Sequence, residues 1–143
     1  MGQQQLLLVI LVTIIVGIAT VVAINTFSSS ADSANLDAVR QDLASIAASA
    51  QGYYMKPTML GGGGNKFDNF TFSGVSVPGK IFDPGTDLII TNANGTYKIT
   101  SAADDELKIT AHPASDDSYV AGTGSATNPL YATIVPDGIS ISQ

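Results

Sequence analysis

The sequence predicts an α+β protein: a long N-terminal α-helix, apolar in its first half and amphipathic in its second, packed on a small antiparallel β-sheet head. Three observations predict it. Leu6 to Ile24 is apolar and free of charge. In "NLDAVRQDLASIAASAQGYY" the residues Leu36, Val39, Leu43, Ile46, Ala50 and Tyr53 recur at alternating intervals of three and four, the seam of a packed helix. Beyond Pro57 that period gives way to short alternating runs bounded by Gly, Pro and Asn, the pattern of strands and turns.

The apolar run opens "MGQQQLLLVILVTIIVGIATVVAIN", interrupted between Leu6 and Ile24 only by Thr13, Gly17 and Thr20. As a helix it extends about 28 Å, close to the ~30 Å hydrocarbon core of a bilayer. A removable secretory signal fits less well, because the region before the run has no Lys or Arg and the run exceeds the usual ~7–15 residues. The seam of the second half can be extended backwards through Asn25 to Val22, Ile18, Ile15, Leu11 and Leu8. No proline precedes Pro57, so a single helix of roughly 50 residues is allowed, with a kink or melted turn expected at the poor helix formers Asn25–Ser30. Asp37 and Arg40 are spaced to pair on its outer face. The alanines of the second half allow close approach by neighbours. The predicted division is a stem helix over 1–54 (apolar 6–24, amphipathic 31–54), a Gly-rich connecting loop over 55–66 and a β head over 67–143.

Pro57 ends the helix, and Gly61–Gly64 makes a mobile or tightly turned loop. Strands are expected at Phe70–Val77 and within Asp87–Thr100, the latter folded at Asn94-Gly95 as a hairpin turn. "ELKITAH" places Leu107, Ile109 and Ala111 inward against Lys108 and Thr110 outward. Leu130–Pro136 and Gly138–Gln143 add two more runs around Pro136-Asp137-Gly138. Five or six short strands joined by tight turns make an antiparallel sheet, whose one buried face the amphipathic half-helix would cover. Tyr53, Tyr54, Phe67, Phe70 and Phe72 are expected to pack where helix and sheet meet.

Composition narrows the function classes. The 143-residue chain has a net charge of -6, against a nucleic-acid partner, which calls for a basic patch. It has no cysteine, excluding disulfides, thiolate nucleophiles and zinc–thiolate sites. No ionisable side chain occurs before Asp32, so the chain divides into an apolar element and a water-facing body. His112 is the lone histidine, followed by Pro113, and reads as a solvent-side residue at a strand end. The acids Asp104, Asp105, Glu106, Asp116 and Asp117 offer the oxygen donors calcium takes, but their spacing matches no calcium loop and solvated turns account for them better. "GGGGNK" lacks the ending of a phosphate loop, and one histidine gives no readable catalytic triad. No catalytic residue, cofactor or metal site is expected. Asn69-Phe70-Thr71 and Asn94-Gly95-Thr96 are glycosylation sequons if the head lies outside a cell equipped to use them.

A charge-poor apolar helix at the N-terminus, continuing as an amphipathic helix into a β-rich head, resembles the type IV pilins and their relatives, including pseudopilins and archaeal pilin-like subunits. The resemblance covers about the first 54 residues and rests on architecture. Gly2 followed by Gln3 resembles the glycine after which the family's leader is cut, although the leader here would be Met1-Gly2 alone. The family's glutamate at the fifth mature position is absent, since that position is Leu7. Gln3, Gln4 and Gln5 offer amide groups that can bond between neighbouring stems instead. The resemblance implies a structural subunit of an extracellular filament, a homopolymer whose core contains Leu8, Leu11, Ile15, Ile18 and Val22, with β heads outward, for adhesion or motility. It also implies residence in the cytoplasmic membrane before assembly and a pilus assembly machinery as partner. The alternatives are a minor pseudopilin of a secretion system and a single-pass anchored binding module that never polymerises.

Overall fold

The structure, a computed structural model, describes residues 2–83, 85–116 and 128–143. Among the described residues there is one α-helix, α1 (Gly2–Met55), followed by six strands: β1 (Lys80–Ile81), β2 (Ile89–Thr91), β3 (Gly95–Ala102), β4 (Leu107–Pro113), β5 (Leu130–Val135) and β6 (Gly138–Ser142). The protein is α+β. Its residues fall into two compact units, Met1–Ala34 and Asn35–Gln143.

The first unit is helical throughout its described residues. Asn25–Ser30 is helical as well, where a kink or melted turn was expected. The hydroxyls that weaken helices by competing for the backbone are turned back onto it here. Thr20 Oγ1 donates to the Val16 carbonyl at 2.8 Å, Thr26 Oγ1 to Val22 at 2.9 Å and Ser33 Oγ to Ser29 at 2.9 Å.

In the second unit the helical segment from Asn35 buries Val39, Leu43, Ile46, Ala47 and Ala50, with Leu36, Tyr53 and Tyr54 packed around them. Arg40 pairs with Asp37 at 2.9 Å on the exposed side. The helix ends at a tightly folded glycine segment. Gly63 N–H donates to the Tyr53 carbonyl at 2.8 Å, Asn65 to Tyr54 at 2.8 Å and Gly64 to Lys56 at 2.9 Å. These bonds give the Tyr54 carbonyl at the helix end a partner, add a second to that of Tyr53, which also accepts from Lys56 N–H at 3.2 Å, and tie down the Lys56 carbonyl just beyond it. Glycine is required because the chain doubles back so closely. A Cβ on Gly62 would strike the Lys56 backbone, and one on Gly63 the Lys66 carbonyl.

The strands form one antiparallel sheet in sequence order, β1-β2-β3-β4-β5-β6. Ile90, Tyr97, Ile99, Leu107, Ile109, Ala111, Leu130, Ala132 and Ile134 join the helix residues in a single core. Alternation with a period of two puts them on one face. A bulge between Ile99 and Ser101 interrupts the β3–β4 register.

Three sequence expectations are corrected. Phe70–Val77 is not a strand: it contains a 3-10 turn, Phe72–Gly74, and the alternation of Phe70 and Phe72 reflects two rings dropped into the core from irregular chain. The first strand is instead Lys80–Ile81, too short to leave a pattern. The β2–β3 hairpin turns at Ala93-Asn94, not Asn94-Gly95, since Thr91 faces Thr96 and Asn92 N–H bonds to the Gly95 carbonyl at 3.0 Å. Neither turn residue takes a positive φ; Asn92 Oδ1 shapes the turn by accepting from Asn94 N–H and Gly95 N–H. His112, expected on the solvent side, is covered; like Thr110 it lies on the sheet face opposite Ile109 and Ala111, as alternation requires, and both are buried there.

Candidate functional site

Two features of the fold stand out, one in each compact unit.

The first is the surface of the apolar helix. Every large hydrophobic side chain from Leu6 to Ile24 is 47–69% exposed within the chain. An 18-residue window reaches a mean hydropathy of 3.2 with none of it buried. Such a helix, apolar on all sides, is stable only where lipid or other protein surrounds it. By length and composition it can cross a membrane. Leu8, Leu11, Ile15, Ile18 and Val22 are all exposed, but so are their neighbours around the helix, so the seam is not set apart by exposure. Gly2 and Gln3 lie in the first turn and are exposed, while Met1 lies outside the described residues.

The second is a carboxylate between the helix and the β2–β3 hairpin. Asp42 stands beside the buried Leu43. Its Oδ2 accepts from Tyr97 Oη at 2.7 Å, Asn92 Nδ2 at 2.8 Å and Asn94 Nδ2 at 2.8 Å. Partial burial pushes the Asp42 pKa up, but the bonds from Asn94, Tyr97 and Asn92 outweigh it, and the carboxyl sits below its ordinary range. Tyr97, almost wholly buried, is pushed far above the usual phenol range by burial first and by Asp42 second. Asn35 extends the network: its Nδ2 donates to the Asn94 carbonyl at 2.9 Å, and its Oδ1 accepts from Ser115 N–H at 3.2 Å. Sequence reasoning passed over Asp42 because one acid beside an apolar seam looks like any solvated helix residue. The usable signal was the Asn-x-Asn pair at 92 and 94, two amides on a hairpin that need an acceptor.

The other residues singled out in the sequence are placed as follows. Leu36, Val39, Leu43, Ile46, Ala50 and Tyr53 all meet the core. The aromatic group is assembled: Tyr53 meets Phe70 edge-on at 5.3 Å between ring centres, Tyr54 meets Phe67 at 4.9 Å, and Phe70 meets Phe72 at 6.3 Å. The two sequons differ. Asn69 is exposed, with a φ of 61°. Asn94 commits its amide nitrogen, the atom a glycan would occupy, to Asp42.

The acids do not converge. Asp104 pairs with Lys66 at 2.8 Å, Glu106 with Lys108 at 3.0 Å, and Asp105 accepts from Tyr54 Oη at 3.2 Å. Asp116 accepts from Asn128 N–H at 3.2 Å, and Asp117 lies outside the described residues. Among the described residues no group of three His, Cys, Asp or Glu is placed to hold a metal ion. His112 is depressed below the ordinary imidazole range, mainly by burial; Lys98 adds to this and Asp116 opposes it.

No protein family, curated protein or solved structure matches this chain.

Proposed function

We propose that this chain is the structural subunit of a type IV pilus-like extracellular filament, a homopolymer held together by its apolar N-terminal helices with the β heads outward. The observation that carries the reading is the surface from Leu6 to Ile24, apolar on every side and uncovered within the chain. Copies of that helix can cover one another. At ~25 cal/mol per Å2, hiding on the order of 1,000 Å2 of apolar surface per stem is favourable by roughly 25 kcal/mol before ordering costs. Before assembly the same helix is lipid-soluble, so the subunit would wait in the cytoplasmic membrane, served by a pilus assembly machinery. Gln3, Gln4 and Gln5 would bond across neighbouring stems, where an unpaired carboxylate would cost more. Gly2-Gln3 is the proposed leader junction. Adhesion or motility would fall to the exposed heads.

Shearing of intact cells tests this. A filament subunit is expected to dominate the sheared surface fraction. A chain retained wholly in the membrane, and extracted by mild detergent as single copies, would instead mark an anchored binding module. Trace amounts confined to a secretion complex would mark a minor pseudopilin.

A further inference from the structure

We infer that β6 is a homotypic docking edge, pairing antiparallel with β6 of a second copy of this chain. Among the described residues β6 is the last strand of the sheet, and one side of it faces no other described strand. The direction of its backbone groups follows from the register. Val135 stands opposite Gly138 and closes the two-residue connection Pro136-Asp137. Such a closing pair exchanges both hydrogen bonds, and bonding alternates from there. Gly138, Ser140 and Ser142 therefore turn their N–H and C=O groups to β5. Ile139 and Ile141 turn theirs to the open edge.

Open edges in soluble proteins are normally blunted by charge, proline, a bulge or brevity. The opposite edge obeys this: β1 is two residues long and carries Lys80. β6 does not. "GISIS" has five residues, no charge, no proline and no register shift against β5. The occupant it fits best is itself. With a two-fold axis at Ser140, Ile139 of each chain faces Ile141 of the other, and the outward donors and acceptors of both strands are satisfied reciprocally. The chain carries a net charge of -6, yet no charged side chain lies in the paired strands. The two Asp137 carboxylates fall at opposite ends of the pairing. A two-fold contact closes on itself and cannot propagate a polar filament. It joins heads of two separate assemblies, or two free chains, and it holds whether or not the chain forms filaments.

The arrangement makes Ser140 face its own copy in a non-hydrogen-bonded pair, where Cα atoms approach to about 4.5 Å, within the span of a disulfide. The chain has no cysteine, so one introduced thiol is unique. The detergent-dispersed full chain carrying Ser140→Cys, treated with a mild oxidant, is expected to form a disulfide dimer at least tenfold faster than Ser101→Cys, whose exposed serine lies on the interior strand β3. Equal rates, or no dimer from Ser140→Cys, would overturn the inference. Adding Ile141→Pro removes one outward N–H and is expected to slow the Ser140→Cys reaction several-fold with the circular dichroism spectrum unchanged. An undiminished rate in that folded double variant would also overturn it. Should Ile141→Pro fail to fold, the comparison of the two single-cysteine chains decides the matter alone.

Discussion

Asp42 stays ionised to lower pH in the folded head than a free carboxyl would, because three donors converge on one of its oxygens. Asp42→Ala would leave two amides and a phenol without their acceptor, at a cost of about 3 kcal/mol. Tyr97→Phe removes one donor and leaves the carboxylate held by two, so about 1.5 kcal/mol is expected. Denaturant unfolding of the dispersed full chain measures both; equal losses would mean that the phenol alone matters. The pH dependence has a definite sign. A carboxyl whose pKa is lowered by folding contributes stability above its unfolded value, near 4, and loses it as pH falls further. His112, also lowered, acts at higher pH. The unfolded chain takes up its proton first, so stability is complete above about 6.5 and declines below it. Unfolding midpoints from pH 8 to 5 should therefore fall in the native chain and fall less in His112→Gln. Gly95 is fixed by approach and not by φ, since a Cβ there would strike the His112 carbonyl. Gly95→Ala is expected to cost at least about 2 kcal/mol in the same unfolding assay.

At the scale of elements, α1 has two halves with different chemistry. The half beginning at Asn35 contributes Val39, Leu43, Ile46 and Ala50 to the core, and its seam was legible because a helix with one covered side leaves a period in the sequence. The apolar half was legible from its lack of charge alone. β3, β4, β5 and β6 were legible from alternation, and their turns from Asn94-Gly95 and Pro136-Asp137-Gly138, though the first turn sits one residue earlier than the Asn-Gly signal places it. Phe70 and Phe72 misled because burial from irregular chain copies the alternation of a strand. His112 misled because a polar residue on the far face of a sheet is ordinarily wet, whereas here that face is covered at Thr96, Thr110 and His112. Asp42 stayed invisible because its partners lie 50 to 55 residues away in sequence. The division of labour within α1 is testable. Ile15→Asp places a charge on the exposed apolar surface, with no head residue touched. Assembled material is expected to fall at least tenfold, while the unfolding free energy of the head stays within about 0.5 kcal/mol of the native chain, the limit for changes remote from a domain. A destabilised head would show that this surface serves intramolecular packing instead.

At the scale of the whole molecule, the chain joins a water-facing head with a covered core to a helix that water cannot accommodate. A soluble monomer does not resolve that conflict; copies or lipid must. The proposed filament resolves it with the chain's own surface, and the single observation behind it is the exposure of Leu6 to Ile24. Electron cryo-microscopy of the native assembled protein tests that most directly. The account predicts filaments in which residues 6–24 of many chains form a helical core with the sheets at the perimeter. Dispersed single chains, each holding its first helix in lipid or detergent, would contradict it.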